Sequence, residues 1–182
     1  MLIQDLRIRD HYIKNKNCCM FTIEDVLNEQ VKLDLDIFLP SIGKNLQRPL
    51  VWSEFQKEQF VLSWLKEISI PPFAVINNKE SGIEVRSKQQ LFEIIDGKQR
   101  IATLVSFAKN EFSVLMPDGI NYFLKELDIE FYKELCWRYL QGNIAYSYKD
   151  EKITDKQKLE WFKFINFAGT PVDLEHIKNL ES

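Results

Sequence analysis

The stretch LFEIIDGKQRIATL, Leu91 to Leu104, joins two apolar runs through Asp96-Gly97-Lys98-Gln99-Arg100. The first run is short and β-branched, which reads as a strand. From Gln99 onward, Ile101, Leu104, Val105 and Ala108 recur at i, i+3, i+4 and i+7, so a helix begins just after the glycine. The order strand, tight turn, helix makes this an α/β chain. Such a turn leaves backbone N–H groups unpaired near the positive end of a helix dipole, a place that binds anions. Gly97 lets the backbone come close to a ligand, and Lys98 and Arg100 can add charge-assisted bonds to phosphate oxygens, Arg100 as a bidentate fork. Asp96 can hold a metal ion, orient an arginine or a sugar hydroxyl, or accept a proton from attacking water. Gln99 can position a water without taking its proton. A plain turn is the competing reading, because Asp-Gly is a common turn pair and a charged first helical turn is ordinary.

Working outward, FTIEDVLN offers Thr22 as an N-cap, with Asp25 three residues on and Ile23, Val26 and Leu27 along one face, a short helix. VKLDLDIFLP alternates Val31, Leu33, Leu35 and Ile37 against Lys32, Asp34 and Asp36, the period of a half-buried strand, and Pro40 and Gly43 open a loop to Arg48 and Pro49. Ser53 and Gln56 form a capping box for a helix that carries Phe60, Val61, Trp64, Leu65 and Ile68 and that Pro71 and Pro72 stop. PFAVIN reads as a strand and NNKESGIEVRSKQQ, residues 77–90, as a polar connection. A hairpin is expected about Pro117-Asp118-Gly119, a helix over DIEFYKELCWRYL and a strand over GNIAYSY, introduced by Gly142 and Asn143. Thr154 with Gln157 caps a helix through KLEWFKFINF, and Asp173 starts a final short one.

At 182 residues, with 45% apolar and 13% aromatic side chains, the chain can fill one core. The expected organisation is one domain over 1–182, with a core of about 20–125 and a helical extension over about 126–182. A net charge of −3 gives no general electrostatic footprint for nucleic acid. Arg7, Arg9, Lys14 and Lys16 form either a short basic arm or, more simply, a solvated terminus. Three cysteines without C-x-x-C spacing suit a reducing cytoplasm, and no apolar run nears the roughly 20 residues that span a bilayer. MLIQDLRIRD carries charges where a signal peptide has its apolar core. His11 and His176 are far apart in sequence, so no metal-binding residues are expected.

A second cluster, Gln47-Arg48-Pro49-Leu50-Val51-Trp52, lies just before the Ser53 cap. Arg48 there is a surface cation on spacing alone, and Trp52 a hydrophobic staple under its helix. Taken together and in order, QRPLVWS, PPFAVI, EIIDGKQRIATL and FKFINFAGTPVDLEHI resemble the N-terminal domain of the GmrSD-type restriction endonucleases, a family of the ParB-like superfamily whose fold sulfiredoxin shares. That family's pattern is Q-R-P-x-x-W, then D-G-x-Q-R, then F-x-x-x-N-x-x-G-x-P-L, and the likeness spans roughly residues 20 to 178.

The resemblance implies a ParB/sulfiredoxin-like α+β fold, a mixed sheet with surrounding helices and a C-terminal helical part. It also implies a nucleotide pocket where the D-G-K-Q-R turn meets the Q-R-P loop. Carried over by position, Asp96, Gln99 and Arg100 are the catalytic residues. Gln47, Arg48, Gly97, Lys98, Thr103 and Asn166 are the nucleotide-binding ones. Thr103 has an equal reading as a core residue, and Asn166 as a helix-terminal cap. Lys98 stands where the family often has glutamine, and Ala102 replaces a commoner hydroxyl residue. The implied ligand is a nucleoside triphosphate with Mg²⁺, and DNA and a separate nuclease subunit are further partners. An HNH-type nuclease domain, found in full-length members, is not expected in this chain. The favoured function is nucleoside triphosphate hydrolysis connected with DNA processing or defence against foreign DNA. The alternative is a non-catalytic nucleotide- or nucleic-acid-binding regulatory module that works with a nuclease partner.

Overall fold

A computed structural model describes residues 12–77, 90–147 and 152–167 of the chain. Its centre is a five-stranded mixed sheet in the order β1 (Tyr12–Cys19), β9 (Gln141–Ser147), β5 (Phe73–Asn77), β6 (Gln90–Asp96), β2 (Val31–Asp34). β1 runs antiparallel to β9, and β5 antiparallel to β6, while β9 with β5 and β2 with β6 are parallel. This is an α+β arrangement. The period of two in β5 and β6 divides the apolar side chains between two layers. Phe73, Val75, Phe92 and Ile94 face helices α1 (Ile23–Leu27), α2 (Glu54–Leu65) and α3 (Lys98–Ala108). Ala74, Ile76 and Ile95 face Trp161 and Phe162 of α5 (Asp155–Phe167), with Ile37, Leu39 and Leu46 beside them.

The helix starts lie where their capping residues point. Thr22 and Asp25 exchange bonds at 3.0 and 2.8 Å, Ser53 and Gln56 do so at 3.3 and 2.9 Å, and Thr154 and Gln157 at 2.8 and 3.3 Å. The helix ends are less expected. α2 stops at Leu65, ahead of the prolines, because Glu67 takes φ 54° and Ile68 N–H bonds back to Ser63 C=O at 3.0 Å. Ile68 therefore leaves the helix face and is exposed. The hairpin turn is present, between β7 (Val114–Leu115) and β8 (Asn121–Tyr122). The segment after Asp128 is helical in α4 (Ile129–Tyr132) and then widens to a π turn over Lys133–Trp137. The helix expected from Asp173 lies outside the described residues, as do residues 78–89 of the polar connection, whose end residues Asn77 and Gln90 belong to β5 and β6.

Two expectations change. The strand from Val31 ends at Asp34, whose Oδ1 accepts from Asp36 N–H at 3.0 Å and Ile37 N–H at 2.8 Å. That side-chain turn takes the backbone away from the ladder, and Ile37 at φ 49° crosses to the other core layer. The loop after Pro40 is instead a small hairpin, β3 (Phe38–Leu39) with β4 (Lys44–Asn45), closed by Gly43 at φ 66°. Beyond about residue 126 the described residues are helical in α4 and α5 and also supply β9, which sits inside the sheet between β1 and β5. Gly142 is required within β9, since a Cβ there would overlap the Phe73 carbonyl.

The terminal stretch with Lys14 and Lys16 supplies the edge strand β1, and Arg7 and Arg9 lie outside the described residues. Cys19 is exposed, whereas Cys136 is fully buried and its thiol is pushed up to about 12, first by burial and then by Glu24. Ellman's reagent at about pH 8 is expected to modify Cys19 promptly and Cys136 only after denaturation, since the thiolate is the reactive form. Prompt reaction at Cys136 would show that this part of the core is open. No helix among the described residues is long and apolar enough to cross a membrane.

Candidate functional site

β6 delivers the chain to Gly97, and the first hydrogen bond of α3 runs from Ile101 N–H to Gly97 C=O at 2.9 Å. The N–H groups of Lys98, Gln99 and Arg100 therefore lie ahead of the helical ladder, at the positive end of α3. Gly97 has φ 100°, and a Cβ on it would overlap the Phe73 ring. A cleft of about 180 Å³ opens here, lined by Arg48, Trp52, Asp96, Gly97, Phe162 and Asn166 together with Gln47, Lys98, Gln99 and Arg100.

The two sequence clusters hold each other. Gln47 Nε2 donates to the carbonyls of Ile94 and Ile95, both at 2.7 Å. In the reverse direction, Gln99 Oε1 accepts from Val51 N–H at 3.1 Å and Trp52 N–H at 3.3 Å, and its Nε2 donates to Pro49 C=O at 2.9 Å. Trp52 packs edge-on to Phe60 with ring centres 5.3 Å apart.

The charged groups differ in how far they are already engaged. Arg100 stacks on Phe73 at 4.5 Å, donates to the Pro71 carbonyl and bonds Asp96 Oδ2 at 2.9 Å. Burial pulls its pKa down, and the charge and hydrogen bond of Asp96 pull it up, leaving a cation. Lys98 is 7% exposed and pairs at 2.5 Å with Asp36, which is 64% exposed. The bend after β2 brings Asp36 there, and alternation along VKLDLDIF gave no sign of it. Arg48 is exposed and no hydrogen bond or ion pair joins it to another described residue. Asp96 Oδ1 likewise accepts no hydrogen bond from the described residues, while its Oδ2 is taken by Arg100.

Thr103 is buried away from the cleft lining and its hydroxyl donates to Gln99 C=O at 2.8 Å. Asn166 reaches the lining from α5, with its Nδ2 donating to Phe162 C=O at 2.7 Å. Phe162 is a lining residue that the sequence pattern marked only as the start of its late segment. A wider groove of about 570 Å³, lined among others by Val31, Leu33, Leu35, Val105 and Lys109, shares no residue with this cleft. Among the described residues no three histidine, cysteine or acidic side chains group as a metal site.

Residues 23–180 match the family described as the GmrSD restriction endonuclease, N-terminal domain. The chain belongs to that family. No curated protein and no solved structure matches it. In this GmrSD-type domain, the family match includes both motifs that clasp each other across the cleft and the α5 segment that closes its side.

Proposed function

We propose that this GmrSD-type domain binds a nucleoside triphosphate through its phosphates at the cleft between Arg48 and Gly97, and hydrolyses it in the service of DNA restriction. The observation that carries this reading is the meeting of Arg48, a cation with no bonded partner among the described residues, with the first turn of α3. A cleft of about 180 Å³ suits a phosphate group, with sugar and base lying outside it, since whole-ligand pockets are roughly 300–1,000 Å³. Asp96 fits a Mg²⁺ ion that arrives with the nucleotide, because Oδ1 is left over once Oδ2 holds Arg100. Such an ion would neutralise phosphate charge; Arg48 and the α3 N–H groups do the same from the protein side. The engagement of Gln99 with the loop favours a second reading, a non-catalytic nucleotide- or nucleic-acid-binding regulatory module that acts with a separate nuclease.

Arg48→Ala is expected to weaken nucleoside triphosphate binding by about 1.5 to 3 kcal/mol, roughly 10- to 150-fold, the value of a hydrogen bond to a charged group. Calorimetry with each nucleoside triphosphate and Mg²⁺ checks this, beside a phosphate-release assay on the parent and Asp96→Asn. Turnover that Asp96→Asn abolishes supports the hydrolase. Binding without turnover selects the regulatory module, and absence of binding by the parent rejects the cleft.

A further inference from the structure

We infer that Gln99 is a positioning residue, whose side-chain amide holds the Pro49–Trp52 loop and so presents Arg48 to the cleft, and that it does not orient a reacting water. The functional half of this rests on the phosphate-binding reading above; the mechanical half does not. A glutamine amide has two acceptor lone pairs on oxygen and two N–H donors. Both lone pairs of Gln99 are occupied by Val51 and Trp52 N–H, and one donor by Pro49 C=O. A water-orienting glutamine needs an oxygen lone pair for the water's proton, and none is left. The amide cannot be turned over, because its NH₂ would then face two N–H donors and its oxygen a carbonyl.

What Gln99 grips is the backbone on the C-terminal side of Arg48. On the N-terminal side, Gln47 is held by Ile94 and Ile95 carbonyls, and Gln47 N–H bonds Asp36 C=O at 3.1 Å. Arg48 thus sits between two fixed neighbours, with Pro49 restricting the backbone further. Leu50 and Val51 are exposed, so the apolar hold on the loop is confined to its end, where Trp52 packs on Phe60 at the edge of the core. Between Arg48 and that anchor the loop is held by the three bonds of one side chain, that of Gln99.

The test is Gln99→Met, similar in size but without the amide, compared with Arg48→Ala and the double variant. Each has two readouts: hydrogen exchange at the Val51 and Trp52 amides, and calorimetric affinity for inorganic triphosphate. The expected result is exchange at those amides faster by about tenfold or more in Gln99→Met, with no such change in Arg48→Ala. Triphosphate affinity is expected to fall as far in Gln99→Met as in Arg48→Ala, and no further in the double variant. Unchanged exchange in folded Gln99→Met overturns the inference. So does faster exchange with triphosphate affinity kept, where Arg48→Ala loses it. If the parent itself fails to bind triphosphate, the phosphate-binding reading falls and the role of presenting Arg48 to a ligand falls with it. The exchange result then decides the loop clamp alone.

Discussion

Lys158→Met is expected to lower the unfolding free energy by about 3 to 5 kcal/mol, the cost of breaking one side of a buried ion pair. Lys158 Nζ lies 2.6 Å from Glu93 Oε1, with the two side chains only 11% and 10% exposed. Glu93 Oε2 is buried with no hydrogen-bond partner among the described residues, where the carboxylate depends on this one contact. Without Lys158 it is left in an apolar layer between β6 and α5, beside Ile76, Ile95, Trp161 and Phe162. Lys158→Met combined with Glu93→Leu should recover most of the loss, since removing both charges abolishes the desolvation cost that one removal exposes. Urea unfolding of the parent, the single and the double variant measures both effects. A single variant within about 1 kcal/mol of the parent would mean that the pair is solvated. The consequence reaches the cleft. Lys158, Phe162 and Asn166 recur every four residues along α5, one stripe of a helix, so the pair that anchors the helix also sets where Asn166 arrives.

How much of this was legible depends on whether neighbours along the chain decide a feature. The capping pairs Thr22 with Asp25 and Ser53 with Gln56 act across one turn, and the helices begin where they stand. The strand–turn–helix about Gly97 is equally local. Helix ends were harder, because the residues at positive φ are Glu29, Glu67 and Asn110, and two of these three carry no usual stop signal. The edge strand β1 was missed because YIKNKNCC is polar, and an edge strand needs main-chain bonds on one side only. In the cleft, the motifs named the residues, but their engagement was hidden. Lys98 pairs with a carboxylate 62 positions away, and Gln99 binds a backbone about 50 positions away, contacts that no spacing reveals. Glu93 looked like one polar position in an apolar strand, and its partner is 65 residues on.

Gly97→Ala is expected to destabilise the protein by about 2 to 5 kcal/mol, from two separable sources. At φ 100° an L side chain is in left-handed territory, which costs about 1 to 2 kcal/mol. The added methyl would also overlap the Phe73 ring, and overpacking of a core adds about 1 to 3 kcal/mol. Phe73 is fully buried and cannot yield easily, because the Arg100 guanidinium lies over its ring at 4.5 Å from the centre and is itself bonded to Asp96 and the Pro71 carbonyl. Moving the ring therefore moves two of the charged groups in the cleft. Phe73→Val, which ends at Cγ, removes the Cδ1 and Cε1 atoms that the new methyl would meet while leaving φ unchanged, so a double-mutant cycle separates the two costs. The Gly97→Ala loss should be smaller in the Phe73→Val background by about 1 kcal/mol or more, and what persists is the backbone strain. Strict additivity would show that the ring does not confront the glycine. In that event the requirement for glycine is conformational alone, and asparagine, which tolerates positive φ, should replace Gly97 with less loss than alanine.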